Sequence, residues 1–92
     1  MYESAWIELA RINLERENYD IAQKYLSNAF YIDENDYKYY YYQGLVDINN
    51  KNLSQAKYNF KKCLKLNPNY NDAKEFLDNI LQNEDGNVQV QL

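Results

Sequence analysis

The segment from Leu53 to Tyr70 reads LSQAKYNFKKCLKLNPNY. Its small and apolar residues recur at intervals of three and four positions, which places them on one face of an α-helix. These residues are Leu53, Ala56, Phe60, Cys63 and Leu64. Pro68 ends the helix, because a proline pushes the residue before it out of the α conformation. The segment therefore predicts one amphipathic helix that stops shortly before Pro68.

The same pattern occurs earlier in the chain, from Tyr19 to Asp36, in the sequence YDIAQKYLSNAFYIDEND. Small and apolar positions align between the two segments without a gap, even where the residue types differ. The aligned pairs are Ala22/Ala56, Leu26/Phe60, Ala29/Cys63, Phe30/Leu64 and Ile32/Leu66. A helix that returns at a fixed period of roughly 34 residues indicates a helical repeat protein. The alternative is a five-helix bundle with an accidental echo.

The whole chain divides into five predicted helices. They span residues 1–16, 19–32, 37–49, 53–66 and 71 to about 82. Asn18, Asp36 and Asn52 precede three of them and are residue types that cap helix N-termini. Gly44 lies in the middle of the third helix, where glycine lowers helix stability by about 1 kcal/mol relative to alanine. We expect it to mark a close approach of another helix.

Composition excludes several kinds of function. The chain has 92 residues, no histidine, one cysteine and a formal net charge of −4. Without histidine it lacks the commonest metal ligand and general base near neutral pH, so we expect no catalytic site, no metal and no cofactor. A small enzyme or regulatory enzyme subunit is a rival class, which the lack of a glycine loop or metal cluster opposes. The negative charge disfavours a nucleic-acid partner, since such partners need a basic surface.

Localisation is constrained by two further absences. No apolar run approaches the roughly 18 residues of a membrane-spanning helix. Residues 1–4 lack the basic start of a signal peptide, and no apolar segment follows them. We therefore expect no membrane partner and a soluble, cytoplasmic location for the chain as given, although a longer parent protein could carry an export signal.

The period and its residues resemble the tetratricopeptide repeat, a helix pair of about 34 residues with the pattern W-x2-L-G, then A-x3-F, then P. The first copy supplies Trp6-x2-Leu9-Ala10 and Ala22-x3-Leu26. The second supplies Tyr40-x2-Gln43-Gly44, Ala56-x3-Phe60 and Pro68. The chain departs from the family at four positions, which are Asn13, Glu34, Gln43 and Asp47.

The resemblance implies an all-α fold, an α-α superhelix of tandem helix-turn-helix repeats with a C-terminal capping helix. The expected limits are 3–36 for repeat one, 37–70 for repeat two and 71–82 for the capping helix. Together these form a domain over 1–83, followed by a flexible tail over 84–92.

Proteins of this family are interaction modules, so the resemblance implies an adaptor or scaffold that binds a peptide or a partner protein. The first helix of each pair lines a concave groove. The groove positions from the first helix are Ser4, Ile7, Glu8, Arg11, Leu14 and Glu15. Those from the third and fifth helices are Lys38, Tyr41, Tyr42, Leu45, Ile48, Asn49, Asp72, Glu75, Phe76 and Asn79. Of these we expect seven to bind the partner, namely Ile7, Arg11, Lys38, Tyr41, Tyr42, Leu45 and Phe76.

The centre of this groove has two interpretations. Tyr41 and Tyr42 could contact a partner, because tyrosine offers a large contact area and a polar group at little entropic cost. They could instead pack against Phe76 and Ile7 and only hold the repeats together. A known subclass of the family clamps the C-terminal carboxylate of chaperones with Lys and Asn, but only Arg11 here could serve, so we expect no such clamp.

Three other features carry weaker hypotheses. The lysines of the fourth helix, Lys57, Lys61, Lys62 and Lys65, are expected to form a solvated face. Cys63 is expected to be a small buried residue. The alternative function is self-association or assembly. Self-association through the first helix would give a homo-oligomer. Assembly would apply if this chain is a fragment of a longer repeat array or of a multidomain protein.

Overall fold

The computed structural model describes residues 5–84 of the chain, which form five α-helices. The helices are α1 (Ala5–Glu15), α2 (Tyr19–Ile32), α3 (Tyr37–Asn49), α4 (Leu53–Leu66) and α5 (Asn71–Glu84). The limits predicted for α2, α3 and α4 are confirmed. Glu84, predicted as the first residue of a tail, is instead the last residue of α5. Ser4 and the remainder of the predicted tail lie outside the described residues.

The helices pack as pairs in a row, and the predicted all-α repeat fold is confirmed. α1 packs chiefly against α2, and α3 against α4, while α5 covers α4. α3 also contacts both helices of the first pair. Within residues 5–84, none of the helices is both long enough and apolar enough to cross a membrane.

Two clusters of buried side chains hold the row together. The first joins α3, α4 and α5 and contains the buried residues Tyr40, Tyr41, Ala56, Phe60, Cys63, Ala73, Leu77 and Ile80. The second joins α1, α2 and α3 and contains Ile7, Ala10, Leu26, Ala29 and Val46, with Trp6 packed against it. Tyr39 and Tyr42, both on α3, pack against both clusters. α3 is therefore the helix through which the two cores meet.

The turns inside the two helix pairs have the same backbone structure at equivalent positions of the repeat. Glu17 and Lys51 both adopt φ of 61°. The amide of Asn18 donates to the carbonyl of Asn13 at 2.8 Å, and the amide of Asn52 donates to that of Asp47 at 2.9 Å. A left-handed residue followed by this bond is the Schellman motif that closes a helix C-terminus. The two helix pairs therefore repeat the same backbone structure, although few residue types are identical between them.

Gly44 marks a close approach between α3 and α4, as the sequence predicted. A Cβ atom placed on Gly44 would lie 2.7 Å from Cε1 and Cζ of Phe60. Phe60 is fully buried, so its ring cannot move into solvent. The glycine therefore creates the space that the aromatic ring of the neighbouring helix occupies.

The predicted helix caps are confirmed in two of three cases. Asp36 accepts a hydrogen bond from the amide of Lys38 at 2.9 Å, and Asn52 accepts one from the amide of Gln55 at 3.3 Å. Asn18 stands at the N-cap of α2, but its side chain makes no capping bond. Its amide group lies 3.4 Å from the side-chain oxygen of Asn13 instead.

Candidate peptide-binding groove

A cavity of about 290 Å³ lies where the helices α1, α3 and α5 come together. Its lining residues are Leu14, Tyr19, Leu45, Ile48, Asn49 and Phe76. Four of these side chains are wholly apolar. Apolar pockets with a few polar groups at their edge are the usual form of a binding site. We call this cavity and the adjoining surface of α1, α3 and α5 the groove.

The groove brings together residues from separate parts of the chain. Leu45 and Phe76, both predicted to bind a partner, line it together with the predicted groove positions Leu14, Ile48 and Asn49. Tyr19 was not predicted, because it begins α2 and the second helix of a pair was expected to lie elsewhere. Tyr19 lies at the groove because the turn of residues 16–18 between α1 and α2 is short.

Tyr41 is buried next to the groove and does not line it. Its side chain is 9% exposed, and its ring centroid is 5.0 Å from that of Tyr70 and 6.2 Å from that of Phe76. Burial raises the pKa of its hydroxyl, and the negative charge of Asp72 raises it further. This packing favours the interpretation in which Tyr41 holds the helices together.

Tyr42 is half-buried and remains at the surface between the two cores. Its ring stands edge-on to that of Tyr41 at 5.3 Å. Burial raises the pKa of its hydroxyl, whereas the nearby charge of Arg11 lowers it. Tyr42 is therefore the tyrosine of this pair that keeps surface accessible to a partner.

Arg11 was predicted to offer a positive charge to the partner, but two carboxylates of its own helix already bind it. Its guanidinium contacts Glu8 at 2.8 Å and Glu15 at 2.8 Å. The hydrogen bond to Glu8 is the largest cause of the raised pKa of Arg11. Lys38, the other predicted cation, is half-buried at the start of α3. The two carboxylates offset the charge of Arg11, which weakens its attraction for an anionic ligand.

Ile7 was predicted to contact a partner, but its side chain is only 1% exposed. It belongs to the core shared by α1, α2 and α3, together with Ala10 one turn later. Leu9, which stands at the leucine position of the family pattern, is 37% exposed. Ile7 was placed on the groove by the family resemblance, whereas packing of α1 against α2 and α3 buries it.

Comparison with known proteins identifies one part of the chain. The family model of the tetratricopeptide repeat matches residues 37–70. Residues 37–70 are therefore similar to one tetratricopeptide repeat. The match begins at the first residue of α3 and continues through α4 to the turn before α5. A search among curated proteins and a search among solved structures both gave no match.

Of the four α4 lysines expected to form a solvated face, two are exposed, whereas Lys57 and Lys62 are half-buried. Lys61 and Lys65 are exposed on α4. Lys62 lies over the ring of Tyr40, with its amino group 5.8 Å from the ring centroid. Cys63 is buried, as expected, and burial raises its pKa to about 11, so the thiol stays protonated near neutral pH. Tetratricopeptide repeats are in general protein-interaction modules, which directs attention to the groove.

Proposed function

We propose that this protein binds an extended peptide segment of a partner protein in the groove between α1, α3 and α5. The observation that carries the proposal is the cavity of about 290 Å³, to which three helices contribute apolar side chains. Leu14 comes from α1, Leu45 from α3 and Phe76 from α5. Burying one large apolar side chain of a ligand there would contribute about 1.5–3 kcal/mol.

The charges around the groove suggest which peptides fit. Glu15, Asp72 and Glu75 are exposed on α1 and α5. The charge of Asp72 acts on the hydroxyl of Tyr41, so it lies close to the groove. Because Arg11 is already bound by two glutamates, the surface favours a basic partner over an acidic one. The preferred ligand is therefore an apolar residue flanked by lysine or arginine, and an acidic C-terminal peptide should bind only weakly.

A peptide-display selection against the intact chain tests this proposal. We expect the recovered peptides to share an apolar anchor next to basic residues. In an NMR titration with a synthetic copy, the shifts should concentrate at Leu14, Leu45 and Ile48. Leu45→Arg should weaken binding at least tenfold, because it places a charge in the apolar cavity. Leu66→Arg is the matched control, since Leu66 is exposed on α4 and outside the groove.

Three outcomes would refute the proposal. The first is a selected peptide whose NMR shifts map to α2 and α4 instead. The second is equal affinity of the Leu45→Arg and Leu66→Arg variants. The third is tight binding of an acidic C-terminal peptide in a fluorescence titration, which would contradict the charge argument. Tyr42→Ala, tested alongside, should weaken binding while leaving the helical content unchanged.

Self-association is the second candidate function, and the outer surface of the first helix pair supports it. Leu9 is 37% exposed and Ile21 is 45% exposed. Their counterparts in repeat two are Gln43, which bonds to α2, and Gln55, which lines a cavity beside α2. Apolar residues thus occupy in repeat one the positions that repeat two uses against its neighbour. We propose that a second copy of the chain stacks on this surface.

Sedimentation at several protein concentrations separates the two candidates. Self-association predicts a weight-average mass that rises with concentration and returns to the monomer value in the variant Leu9→Asp/Ile21→Asp. The charge-matched control is Ser54→Asp/Gln55→Asp on α4. A mass that stays constant over a hundredfold range of concentration would exclude this surface as a self-association site.

A further inference from the structure

A second, larger cavity of about 490 Å³ lies on the opposite face of α3, between α2 and α4. Residues 39, 40, 43 and 47 of α3 line it, whereas residues 45, 48 and 49 line the groove. At about 3.6 residues per turn these two sets point in opposite directions. The second cavity is therefore separate from the proposed peptide groove, and we call it the α2–α4 pocket.

A buried carboxylate lines the α2–α4 pocket. Asp47 is 8% exposed. One of its oxygens accepts a hydrogen bond from the side-chain amide of Asn59 at 2.7 Å, and the other accepts one from that of Gln43 at 3.3 Å. Neither donor carries a charge, so these bonds orient the carboxylate without neutralising it. Burial raises the pKa of Asp47, and the two amides oppose the rise.

A reciprocal amide pair fixes the donors of this network. Gln43 donates to the side-chain oxygen of Gln23 at 2.8 Å, and Gln23 donates back to Gln43 at 2.9 Å. Gln23 belongs to α2 and Asn59 to α4, so three helices hold the carboxylate in one orientation. A carboxylate has about four acceptor positions, and the two amides use two of them. The remaining positions can accept two parallel donors.

Aromatic side chains form the rest of the pocket lining. Phe30, Tyr39 and Tyr58 line it, and the ring centroids of Phe30 and Tyr39 are 5.0 Å apart. Tyr58 is largely exposed. Aromatic faces attract cations, arginine more often than lysine. An uncompensated carboxylate next to aromatic rings is complementary to a planar cation that carries parallel N–H donors.

We propose that the α2–α4 pocket binds the guanidinium group of an arginine side chain presented by a partner protein. Asp47 supplies the countercharge and two acceptors, and the aromatic side chains stack on the guanidinium plane. The volume of the pocket exceeds that of one arginine side chain, which leaves room for neighbouring atoms of the partner. The site uses the face of α3 that the peptide groove leaves unused, so both surfaces can be occupied together.

An NMR titration of the intact chain with N-acetyl-L-arginine amide tests the proposal directly. We expect saturable shifts in the side-chain amide signals of Gln23, Gln43 and Asn59. The citrulline analogue has nearly the same shape without the charge, and it should bind at least tenfold more weakly. The lysine analogue should bind severalfold more weakly, because it lacks the planar pair of donors.

Variants test the role of each part of the pocket. Asp47→Asn should weaken binding of the arginine probe at least tenfold. Asp78→Asn is the charge-matched control on the exposed surface of α5 and should leave binding unchanged. Tyr58→Ala, which removes a mostly exposed ring, should weaken binding severalfold in a chain that folds normally. It therefore remains informative if the Asp47 variant does not fold.

The source of the arginine is tested by comparing the capped amino acid, a capped tripeptide Gly-Arg-Gly and free arginine. A partner-protein ligand predicts that the tripeptide binds at least as tightly as free arginine. A clear preference for free arginine would overturn the assignment to a partner protein. Equal binding of the citrulline analogue, or full binding by the Asp47→Asn variant, would overturn the site itself.

Discussion

At the scale of single residues, Gly44 and Phe60 show how packing can outweigh helix propensity. Gly44 is a poor helix former, and alanine would gain about 1 kcal/mol from propensity alone. The Cβ atom of that alanine would meet the buried Phe60 ring at 2.7 Å. Overpacking of a core costs about 1–3 kcal/mol, so packing decides the outcome.

We therefore predict that Gly44→Ala lowers the free energy of unfolding by about 1–2 kcal/mol, the net of these two effects. Chemical denaturation monitored by circular dichroism measures it. Asn28→Ala, on the exposed face of α2, is the control and should be neutral or slightly stabilising. A second change, Phe60→Leu, should be less harmful in the Gly44→Ala background than alone. A stabilised Gly44→Ala variant would show that α3 and α4 are less tightly packed than a 2.7 Å approach requires.

Asp47 yields a prediction about pH. Its pKa is raised in the folded protein, chiefly by burial, so folding disfavours its ionised form. The stability that this group contributes is therefore present below its ordinary pKa of about 3.9 and is lost as the pH rises through the raised value. Asp47→Asn removes the ionisation and keeps the shape of the side chain.

We expect Asp47→Asn to have a higher melting temperature than the parent chain at pH 7, with the difference shrinking as the pH is lowered through the raised pKa of Asp47 and lost below its ordinary pKa of about 3.9. Asp78→Asn, at an exposed position, should show no such pH-dependent difference. If Asp47→Asn is instead less stable at pH 7, the bonds from Asn59 and Gln43 must outweigh the cost of burying the charge.

At the scale of elements, the repeated left-handed turns make a paired prediction. Glu17 and Lys51 adopt φ of 61°, where a side chain costs about 1–2 kcal/mol and glycine costs little. Glycine also loses more chain entropy on folding, by about 0.5–1 kcal/mol. Glu17→Gly and Lys51→Gly should therefore each raise the free energy of unfolding by about 0.5–1 kcal/mol.

Thermal denaturation measures both effects. Lys61→Gly, in the exposed middle of α4, is the matched control and should lower stability by about 1 kcal/mol. The two turn variants should also act additively, since they lie in different turns. Destabilisation by either one would mean that the side chain makes a contact worth more than the backbone strain.

The helices themselves were predictable, whereas the groove was predictable only in part. Period, caps and Pro68 set the limits of α2, α3 and α4, because those signals act within a few residues of the sequence. Ile7 was placed on the groove by the family resemblance, but its burial depends on how closely α2 and α3 pack against α1, which no local pattern gives. The network of Gln23, Asp47 and Asn59 was not foreseen, since it joins residues that become neighbours only when three helices meet.

At the scale of the whole molecule, stability depends on how the two cores are coupled through α3. Val46 belongs to α3, yet its side chain is buried in the core of α1 and α2. In repeat proteins, stability is approximately a sum of repeat terms and interface terms. Val46 therefore contributes to the stability of the interface between the two repeats rather than to the stability of repeat two itself.

We predict that Val46→Ala lowers the free energy of unfolding by about 2 kcal/mol, from the loss of two buried methyl groups and the space they leave. The effect should be uneven along the chain. Hydrogen exchange should accelerate most in α1 and α2, while amides of α4 keep more of their protection. Leu66→Ala, at an exposed site, should change exchange little. Uniform acceleration in all helices would show that the chain unfolds as one unit.

The single tryptophan and the single cysteine happen to sit in different cores, so the protein carries its own pair of reporters. Trp6 stacks on Tyr25 at 5.7 Å beside the core of α1 and α2. Cys63 is fully buried in the core of α3, α4 and α5. Indole fluorescence and the rate of thiol alkylation would follow the melting of the two ends separately, without any label or engineered residue. If the two signals change at different temperatures or denaturant concentrations, the difference shows which pair of helices unfolds first.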